Sequence, residues 1–246
     1  MKIGITERGD PSIDFSWVAK MGKMDGVILI TKNLTDAVID ASRPYLNKMI
    51  FHVTCTGMGG TSIEPNIPPF EHQLKQAEKL LSLGVEIDRV VIRIDPIVPT
   101  QRGLTTARRV FDAAYRKGFR RFRISLLDCY PHVRQRFLKH HIIPPYGSNG
   151  FSPFDTMFAC ADDMVKFLKE IYPGICIESC AEPKLTETEK IGCVSEKDLG
   201  LLGLSLEKVD QAGYQRKNCL CCSNKTELLA EKKQCPYGCL YCYWKD

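Results

Sequence analysis

The chain has 246 residues, of which 44% are hydrophobic and 26% are charged, and its formal net charge is +5. This composition is typical of a globular protein that is long enough for one sizeable core. No apolar run approaches the roughly 20 residues of a membrane span, and the N-terminal residues begin a strand rather than a signal peptide, so we expect a cytoplasmic protein without a membrane partner.

Up to about residue 185, short apolar runs alternate with amphipathic segments. The apolar runs predict six strands, at 2–6, 26–31, 48–54, 89–95, 121–127 and 174–179. The amphipathic segments predict five helices, at 15–21, 34–43, 69–84, 105–117 and 154–171. Near-continuous apolar strands that alternate with helices are typical of parallel sheets built from βαβ units. We therefore predict an α/β fold, a partial (β/α)6 barrel of the TIM type over residues 1–185.

Residues 186–246 differ in composition from the preceding part, with many cysteines and lysines. Nine of the 12 cysteines lie after residue 175. Because the sequence shows no export signal, cysteines at this density indicate metal or redox roles rather than disulfides. We predict a cysteine-rich, cluster-binding tail that packs on the barrel mouth and forms one compact unit with it. The cysteines that stand singly in apolar surroundings are predicted to be small core residues: Cys55, Cys129, Cys160 and Cys176.

Much of the positive charge lies in two segments, 102–123 and 134–141. Such segments could bind phosphate groups, and they could equally be the solvated faces of helices. The charge therefore permits a nucleic-acid partner without requiring one.

The last residues contain three cysteines at C-x3-C-x2-C spacing: Cys235, Cys239 and Cys242. A [4Fe–4S] cube needs four ligands, so three thiolates from one loop leave one iron open. Structural zinc sites more often combine two C-x2-C halves, which this spacing matches poorly. With Tyr241 just before the third cysteine, the loop resembles the cluster loop of radical SAM enzymes, in which S-adenosylmethionine binds the open iron.

A second set of cysteines precedes this loop: Cys180, Cys193, Cys219 and Cys221. Four thiolates from three segments could close a second cluster or a zinc site, and they could also be free or structural. The C-x-C spacing of Cys219 and Cys221 favours Cys221 over the adjacent Cys222 as a ligand, although spacing alone leaves both open.

Polar residues cluster at the carboxyl end of each predicted strand, at 7–10, 32–33, 52–56, 93 and 95, 125–128, and 178–182. The carboxyl ends of parallel strands meet at one edge, where α/β proteins place their active sites. We therefore expect a polar pocket at this edge.

The strand-end motifs and the cysteine loop together resemble the family DUF1848, in motifs that begin at Thr6, Ile30, Arg93, Ser125, Ser179, Gln215 and Cys235. The similarity covers nearly the whole chain. Members of that family resemble radical SAM proteins whose cluster loop has moved to the C-terminus. They are often labelled DNA repair photolyase-like, after spore photoproduct lyase.

The resemblance implies a radical SAM enzyme with a [4Fe–4S] cluster and S-adenosylmethionine, served by a reductant such as flavodoxin or ferredoxin. Its substrate is unknown, and a nucleic-acid base is one candidate. The residues assigned to the bound S-adenosylmethionine are Lys32, Asn33, Arg93 and Asp95. The catalytic candidates, expected to contact substrate or cofactor, are Arg8 and Glu182. The alternatives are a zinc-binding nucleic-acid module and a two-cluster electron-transfer protein.

Overall fold

A computed structural model of the chain describes residues 1–147, 150–205, 220, 225–229 and 235–244. Cys219 and Cys221, two predicted ligands of the second cysteine set, lie outside these residues, as does Cys222. Within the described ranges, no helix combines the length and the apolar character that crossing a bilayer requires.

The six predicted strands are present, and two short strands follow them. In chain order they are β1 (Ile3–Ile5), β2 (Gly26–Thr31), β3 (Met49–Thr54), β4 (Val90–Ile97), β5 (Arg121–Leu126), β6 (Cys176–Ser179), β7 (Glu189–Lys190) and β8 (Lys225–Glu227). The strands form one sheet in the order β7-β6-β5-β4-β3-β2-β1-β8. All neighbouring strands are parallel. The predicted α/β fold with a parallel sheet is thus confirmed.

Helices connect most of these strands. They are α1 (Asp36–Ser42), α2 (Phe70–Ser82), α3 (Gln101–Arg116), α4 (Pro131–Lys139), α5 (Asp155–Ile171) and α6 (Glu196–Leu201). The helix predicted at 15–21 is a 3-10 helix, Phe15–Lys23. Helix α3 begins four residues before the predicted start, because the Thr100 side chain caps it by accepting a hydrogen bond from the backbone N–H of Gly103.

The two faces of the sheet are covered differently. Helices α1, α2, α3 and α5 all contribute to one large apolar cluster, in which Leu74 and Phe111 pack with strand residues such as Phe51. On the opposite face, Val194 and Leu199, just before and within α6, pack with strand residues: Ile3, Ile5, Ile28, Ile50 and Val91. We call this second side the inner face. Because side chains alternate along a strand, each strand supplies both faces.

The inner face of β5 and β6 is charged rather than apolar. Arg121 Nε donates to Glu178 Oε1 at 2.7 Å, and its Nη2 donates to Asp198 Oδ1 at 2.6 Å. Arg123 Nη2 donates to the other oxygen of Glu178 at 2.9 Å. These four side chains are fully or almost fully buried. Their ion pairs link α6 to the sheet, and the removal of one partner would leave an uncompensated buried charge.

Several residues of the predicted basic segments are therefore not on the surface. Arg121 and Arg123 are buried, and Arg136 donates to backbone oxygens at the chain end. The prediction that Cys160 is a small core residue is wrong, because its side chain is exposed. Cys160 lies on the solvent side of α5, whose buried residues are Phe158 and Ala161 on either side of it in sequence, together with Met164, Val165 and Leu168.

Candidate metal centre

The terminal cysteine loop lies at the carboxyl ends of the first strands. The Tyr237 hydroxyl is 2.5 Å from Ser12 Oγ and accepts a hydrogen bond from Asn33 Nδ2 at 3.0 Å. Further along the loop, the N–H of Leu240 donates to the carbonyl oxygen of Ile63 at 3.0 Å. These contacts join the loop to the segments that follow β1, β2 and β3, at the edge where the sequence predicts a pocket.

Helix α4 holds the other side of the loop. Arg136 donates to the carbonyl oxygens of Cys242 and Trp244, each at 2.6 Å. Beneath this clamp, Leu240 and Tyr241 pack in an apolar cluster with residues of α4, among them Phe137. The loop is therefore enclosed by the sheet edge and a helix that the sequence did not reveal.

The three thiols of the loop influence one another electrostatically. Gly238 turns the chain with φ of +64°, and the N–H of Cys242 donates to the carbonyl oxygen of Cys239 at 3.1 Å. Burial raises the pKa of Cys239 to about 12; Lys32 opposes this rise, whereas Glu64, Cys235 and Cys242 add to it. Three thiols on one tight loop, none of them in a disulfide, suit a metal cluster, whose positive charge would offset their mutual repulsion as thiolates.

A buried polar network lies directly beside the loop. Lys32 Nζ donates to the Tyr241 hydroxyl at 2.5 Å and lies 4.7 Å from the centre of its ring. The Tyr241 hydroxyl donates in turn to Glu64, which also accepts from Thr56 Oγ1 at 2.5 Å. Burial is the first cause that raises the pKa of Tyr241 well above its usual value, and the charge of Glu64 adds to it. Tyr241 therefore remains a neutral phenol and a hydrogen-bond donor.

Glu64 is a site residue that the sequence analysis missed. It is 1% exposed and pairs with Lys32 at 3.5 Å, but it lies in the long connection between β3 and α2 rather than at a strand end. A glutamate flanked by Ile63 and Pro65 in a loop carries no periodic signal. Its buried position could not be inferred from its neighbours in sequence.

Arg93 and Asp95, both assigned to the cofactor by resemblance, form an ion pair on β4. The Asp95 carboxylate also accepts from the Ser125 hydroxyl, and Lys32 Nζ donates to the Asp95 backbone oxygen at 3.5 Å. Burial alone would raise the pKa of Asp95, but Arg93, Ser125 and Lys32 outweigh it and hold the pKa below its usual value. Lys32, Arg93 and Asp95 therefore come together next to the loop, with Asp95 ionised.

Asn33 and Asp10 hold the loop and the strand ends in place. Asn33 donates to the Tyr237 hydroxyl and accepts from Gln73 Nε2 at 3.3 Å, so its amide is engaged on both sides. Asp10 accepts from the N–H and hydroxyl of Ser12, the hydroxyl of Thr31 and the N–H of Lys32, at 2.6–3.0 Å. These bonds lock the turn after β1 to the end of β2.

The two catalytic candidates follow the first and the last of the six predicted strands. Arg8 follows β1; its side chain is exposed, and its backbone N–H donates to Glu227 of β8 at 3.0 Å. Glu182 follows β6 and accepts from the N–H of Leu126 at 3.0 Å. The structure places both at the carboxyl edge.

Two cysteines of the second set meet at the same edge. Cys180 Sγ lies 3.6 Å from Cys193 Sγ, and neither cysteine forms a disulfide. Cys180 follows β6, and Cys193 lies between β7 and α6. Their predicted companions Cys219 and Cys221 are outside the described residues.

Another group of potential ligands is already neutralised by cations. Cys176, Glu178 and Glu189 lie close enough to share a metal ion. However, Glu178 is paired with Arg121, and Lys197 Nζ lies 3.1 Å from Cys176 Sγ and 3.7 Å from Glu178. Because these cations occupy the place of a metal ion, this group is not a metal-site candidate.

Fold and site together define a class of protein: a parallel α/β domain with a C-terminal three-cysteine loop docked at the carboxyl edge of its sheet. The chain belongs to the family DUF1848, a domain of unknown function, whose sequence profile matches residues 15–244. No curated protein matches the chain significantly.

Proposed function

We propose that the chain is a radical SAM-type enzyme that binds a [4Fe–4S] cluster through Cys235, Cys239 and Cys242 and S-adenosylmethionine at the open iron. The observation that carries this proposal is the position of the loop. The three thiols belong to a loop at the carboxyl edge of a parallel sheet, and Tyr241 of this loop accepts a hydrogen bond from Lys32, which also donates to the backbone oxygen of Asp95. In parallel α/β folds this edge carries the active site.

We further propose that the sheet curves into a partial barrel whose mouth is this edge. The packing of α1, α2, α3 and α5 on one face supports it. A contact between distant strands supports it as well: Glu7, after β1, interacts with Cys193, after β7. In a flat sheet, the six strand spacings between β1 and β7 would separate these residues by about 29 Å. Curvature brings them together.

When bound, the cluster supplies the electron that cleaves S-adenosylmethionine and so starts radical chemistry. The protein's own residues bind and orient the cofactor. Asp95, ionised, accepts hydrogen bonds from an ammonium or hydroxyl group, whereas Lys32 and Arg93 offset the negative charge of thiolates and of a carboxylate. The apolar cluster under Leu240 and Tyr241 shields the loop from water on one side.

Asn33 has a different role in this proposal than the resemblance implied, and Tyr241 gains one. Asn33 is a positioning residue, because its amide already holds Tyr237 and Gln73. Tyr241 is held by Lys32 and Glu64, which fixes the loop beside the third cysteine. Arg8 and Glu182 stay candidates for substrate contacts. The substrate class is open, with a nucleic-acid base among the candidates, and the electron donor is a protein such as flavodoxin or ferredoxin in the cytoplasm.

The first test is metal loading after anaerobic reconstitution with iron and sulfide. We expect wild-type protein to bind about four irons at the loop and to turn brown. Cys239→Ala should lose these irons while its circular dichroism stays that of a folded protein, because two thiolates cannot hold a cube. Cys160→Ala, which changes an exposed thiol outside the site, should load like wild type. Full loading of Cys239→Ala would refute the assignment, and colourless protein that binds zinc would favour the zinc-binding alternative.

The second test is cofactor cleavage by the loaded protein. With dithionite and S-adenosylmethionine, wild-type protein should release 5′-deoxyadenosine slowly without substrate. Asp95→Asn keeps the side-chain volume but removes the charge, and should lower this release by about tenfold or more at unchanged iron content. Loaded wild-type protein that neither binds the cofactor by spectroscopy nor releases 5′-deoxyadenosine would overturn the proposal.

A further inference from the structure

We infer that the outer face of α4 is the docking surface for an acidic electron-carrier protein that serves the terminal loop. The face comprises Gln135, Leu138 and Lys139, which are exposed on the side of α4 opposite the buried Val133 and Phe137. We call these three exposed residues the α4 face. The inference rests on the proposed function, because it assigns a binding surface to the electron donor that the loop requires.

The α4 face belongs to a segment that carries charge of one sign. Residues 129–154 contain two arginines, one lysine and three of the five histidines of the chain, but no aspartate or glutamate. Lys139 is exposed, and Arg134 donates to a neutral acceptor, the backbone oxygen of Gly147, at 2.7 Å. No acidic residue of the segment therefore offsets these positive charges. A partner surface rich in carboxylates is complementary to such a face, and complementary charge speeds the encounter of two proteins.

The same helix also holds the loop that would receive the electron. Arg136 of α4 donates to the carbonyl oxygens of Cys242 and Trp244, each at 2.6 Å. A carrier docked on the α4 face is therefore separated from the loop by about one helix diameter, 10–12 Å. The transfer oxidises the flavin or iron–sulfur group of the carrier by one electron and reduces the centre at the loop by one electron, without a change of covalent bonds.

The apolar side chains on and after α4 favour a protein partner over a nucleic acid. Leu138 is 51% exposed, and Ile143, in the turn that follows the helix, is 88% exposed. Aliphatic side chains fit the apolar centre of a protein–protein interface, whereas single-stranded nucleic acids stack their bases on exposed aromatic rings. Phe137, the one phenylalanine, tyrosine or tryptophan of α4, is buried. The α4 face therefore combines positive charge with aliphatic surface.

The test measures the binding of flavodoxin of net negative charge to the full chain by calorimetric titration at low ionic strength. Gln135→Glu with Lys139→Glu changes the formal charge of the α4 face from +1 to −2 at two exposed positions that contact neither the loop nor the core. This double variant should bind flavodoxin about tenfold or more weakly than wild type does. Raising the salt concentration to about 0.5 M should weaken wild-type binding and remove most of the difference, because salt screens exposed charges.

The matched control lies in the other basic segment of the chain. Thr105→Glu with Arg109→Glu makes the same change of charge, at the same spacing of four residues, on the exposed side of α3. This control should bind flavodoxin like wild type. It separates a specific docking surface from a general effect of net charge.

A second measurement uses the protein loaded with iron and sulfide, and it separates the docking surface from the proposed function. Reduced flavodoxin should bleach the loaded Gln135→Glu, Lys139→Glu variant about tenfold or more slowly than loaded wild type. Dithionite is too small to need a docking surface, so it should drive the release of 5′-deoxyadenosine at the wild-type rate in both. Wild-type protein that binds no cluster, or releases no 5′-deoxyadenosine with dithionite, contradicts the proposed function. The calorimetric titration of the unloaded chain still decides the docking surface in that case.

Three results would overturn the inference. The first is equal affinity of wild type and the Gln135→Glu, Lys139→Glu variant for flavodoxin, or an equal loss of affinity in the α3 control. The second is the absence of binding when flavodoxin and then ferredoxin are titrated into wild-type protein. The third is a loss of affinity for a single-stranded oligonucleotide in the α4 variant while its affinity for flavodoxin is unchanged, which would assign the α4 face to a nucleic acid.

Discussion

His52 shows how strongly burial and neighbouring charge act on a single side chain of the inner face. It lies on β3 with no exposed surface, and neither ring nitrogen has a hydrogen-bond partner in the described structure. Burial is the first cause that holds the pKa of His52 well below 6.5, and the charges of Arg123, Arg93 and Arg121 add to it. The ring is therefore neutral at pH 7, which avoids a further positive charge beside three guanidiniums.

This lowered pKa predicts that acid destabilises the fold. Unfolded histidine has a pKa of about 6.5, so below that pH the unfolded chain binds a proton that folded His52 rejects. The stabilisation is fully present above about pH 6.5. As the pH falls toward the folded-state pKa, the free energy of unfolding should drop by up to about 1.4 kcal/mol per pH unit.

Urea unfolding between about pH 7 and pH 5 measures this slope. His52→Leu removes the titrating ring, so its free energy of unfolding should depend less on pH than that of wild type. His140→Gln, which changes an exposed histidine, should leave the slope unchanged. Equal slopes in wild type and His52→Leu would show that another group governs the acid response.

At the same scale, the site was predictable where residues follow apolar strands and hidden where they do not. Lys32 follows β2, and Arg93 and Asp95 lie in the second half of β4, in strands with a clear apolar pattern, so their meeting at one edge could be inferred. Glu64 lies in a loop without periodicity, and its burial depends on Lys32 and Tyr241, which are distant in sequence. The hydrogen bond from Asn33 to the Tyr237 hydroxyl also joins residues that are distant in sequence, so it could not be inferred from the sequence either.

At the scale of secondary-structure elements, the same reasoning explains which ones the sequence reveals. The first four strands consist mostly of buried apolar residues, whereas β5 and β6 alternate apolar residues with buried charged or polar ones. β8 has the sequence Lys-Thr-Glu and β7 only Glu-Lys, so both depend on pairing with an existing strand. Helix α4 buries only Val133 and Phe137, four residues apart among charged neighbours, which is too weak a pattern to recognise.

Helix α6 is short, and its position depends on charge as much as on apolar packing. Asp198 accepts from Arg121 at 2.6 Å and closes a capping box with Ser195. Because Asp198 is fully buried, Asp198→Asn leaves Arg121 without one of its counter-charges. We expect a loss of about 3–5 kcal/mol in the free energy of unfolding.

Urea denaturation of purified Asp198→Asn gives this value. The same substitution at an exposed pair, Asp40→Asn beside Arg43, is the control and should change stability by less than about 0.5 kcal/mol. A similar small effect at both positions would mean that the buried network does not anchor α6.

At the scale of the whole molecule, the terminal loop joins parts that are far apart in sequence. It contacts Ser12 after β1, Asn33 after β2, Ile63 in the connection after β3, and Arg136 on α4. The last residues of the chain thus close the edge of a sheet that begins with the first. A ligand that fixes the loop should therefore stabilise the whole fold and not only the last residues.

We accordingly predict that metal loading raises the melting temperature of the entire chain. A ligand bound only to the folded state at 100 times its dissociation constant adds about 2.7 kcal/mol, which for a chain of this size corresponds to roughly 5–10 °C. Circular dichroism melts under anaerobic conditions, before and after reconstitution with iron and sulfide, measure the shift. The triple variant Cys235→Ala, Cys239→Ala, Cys242→Ala, treated in the same way, should show none of it. An equal shift in the triple variant would mean that the stabilising metal binds elsewhere. An unchanged melting temperature of the wild-type protein would mean that the loop binds no cluster that stabilises the fold.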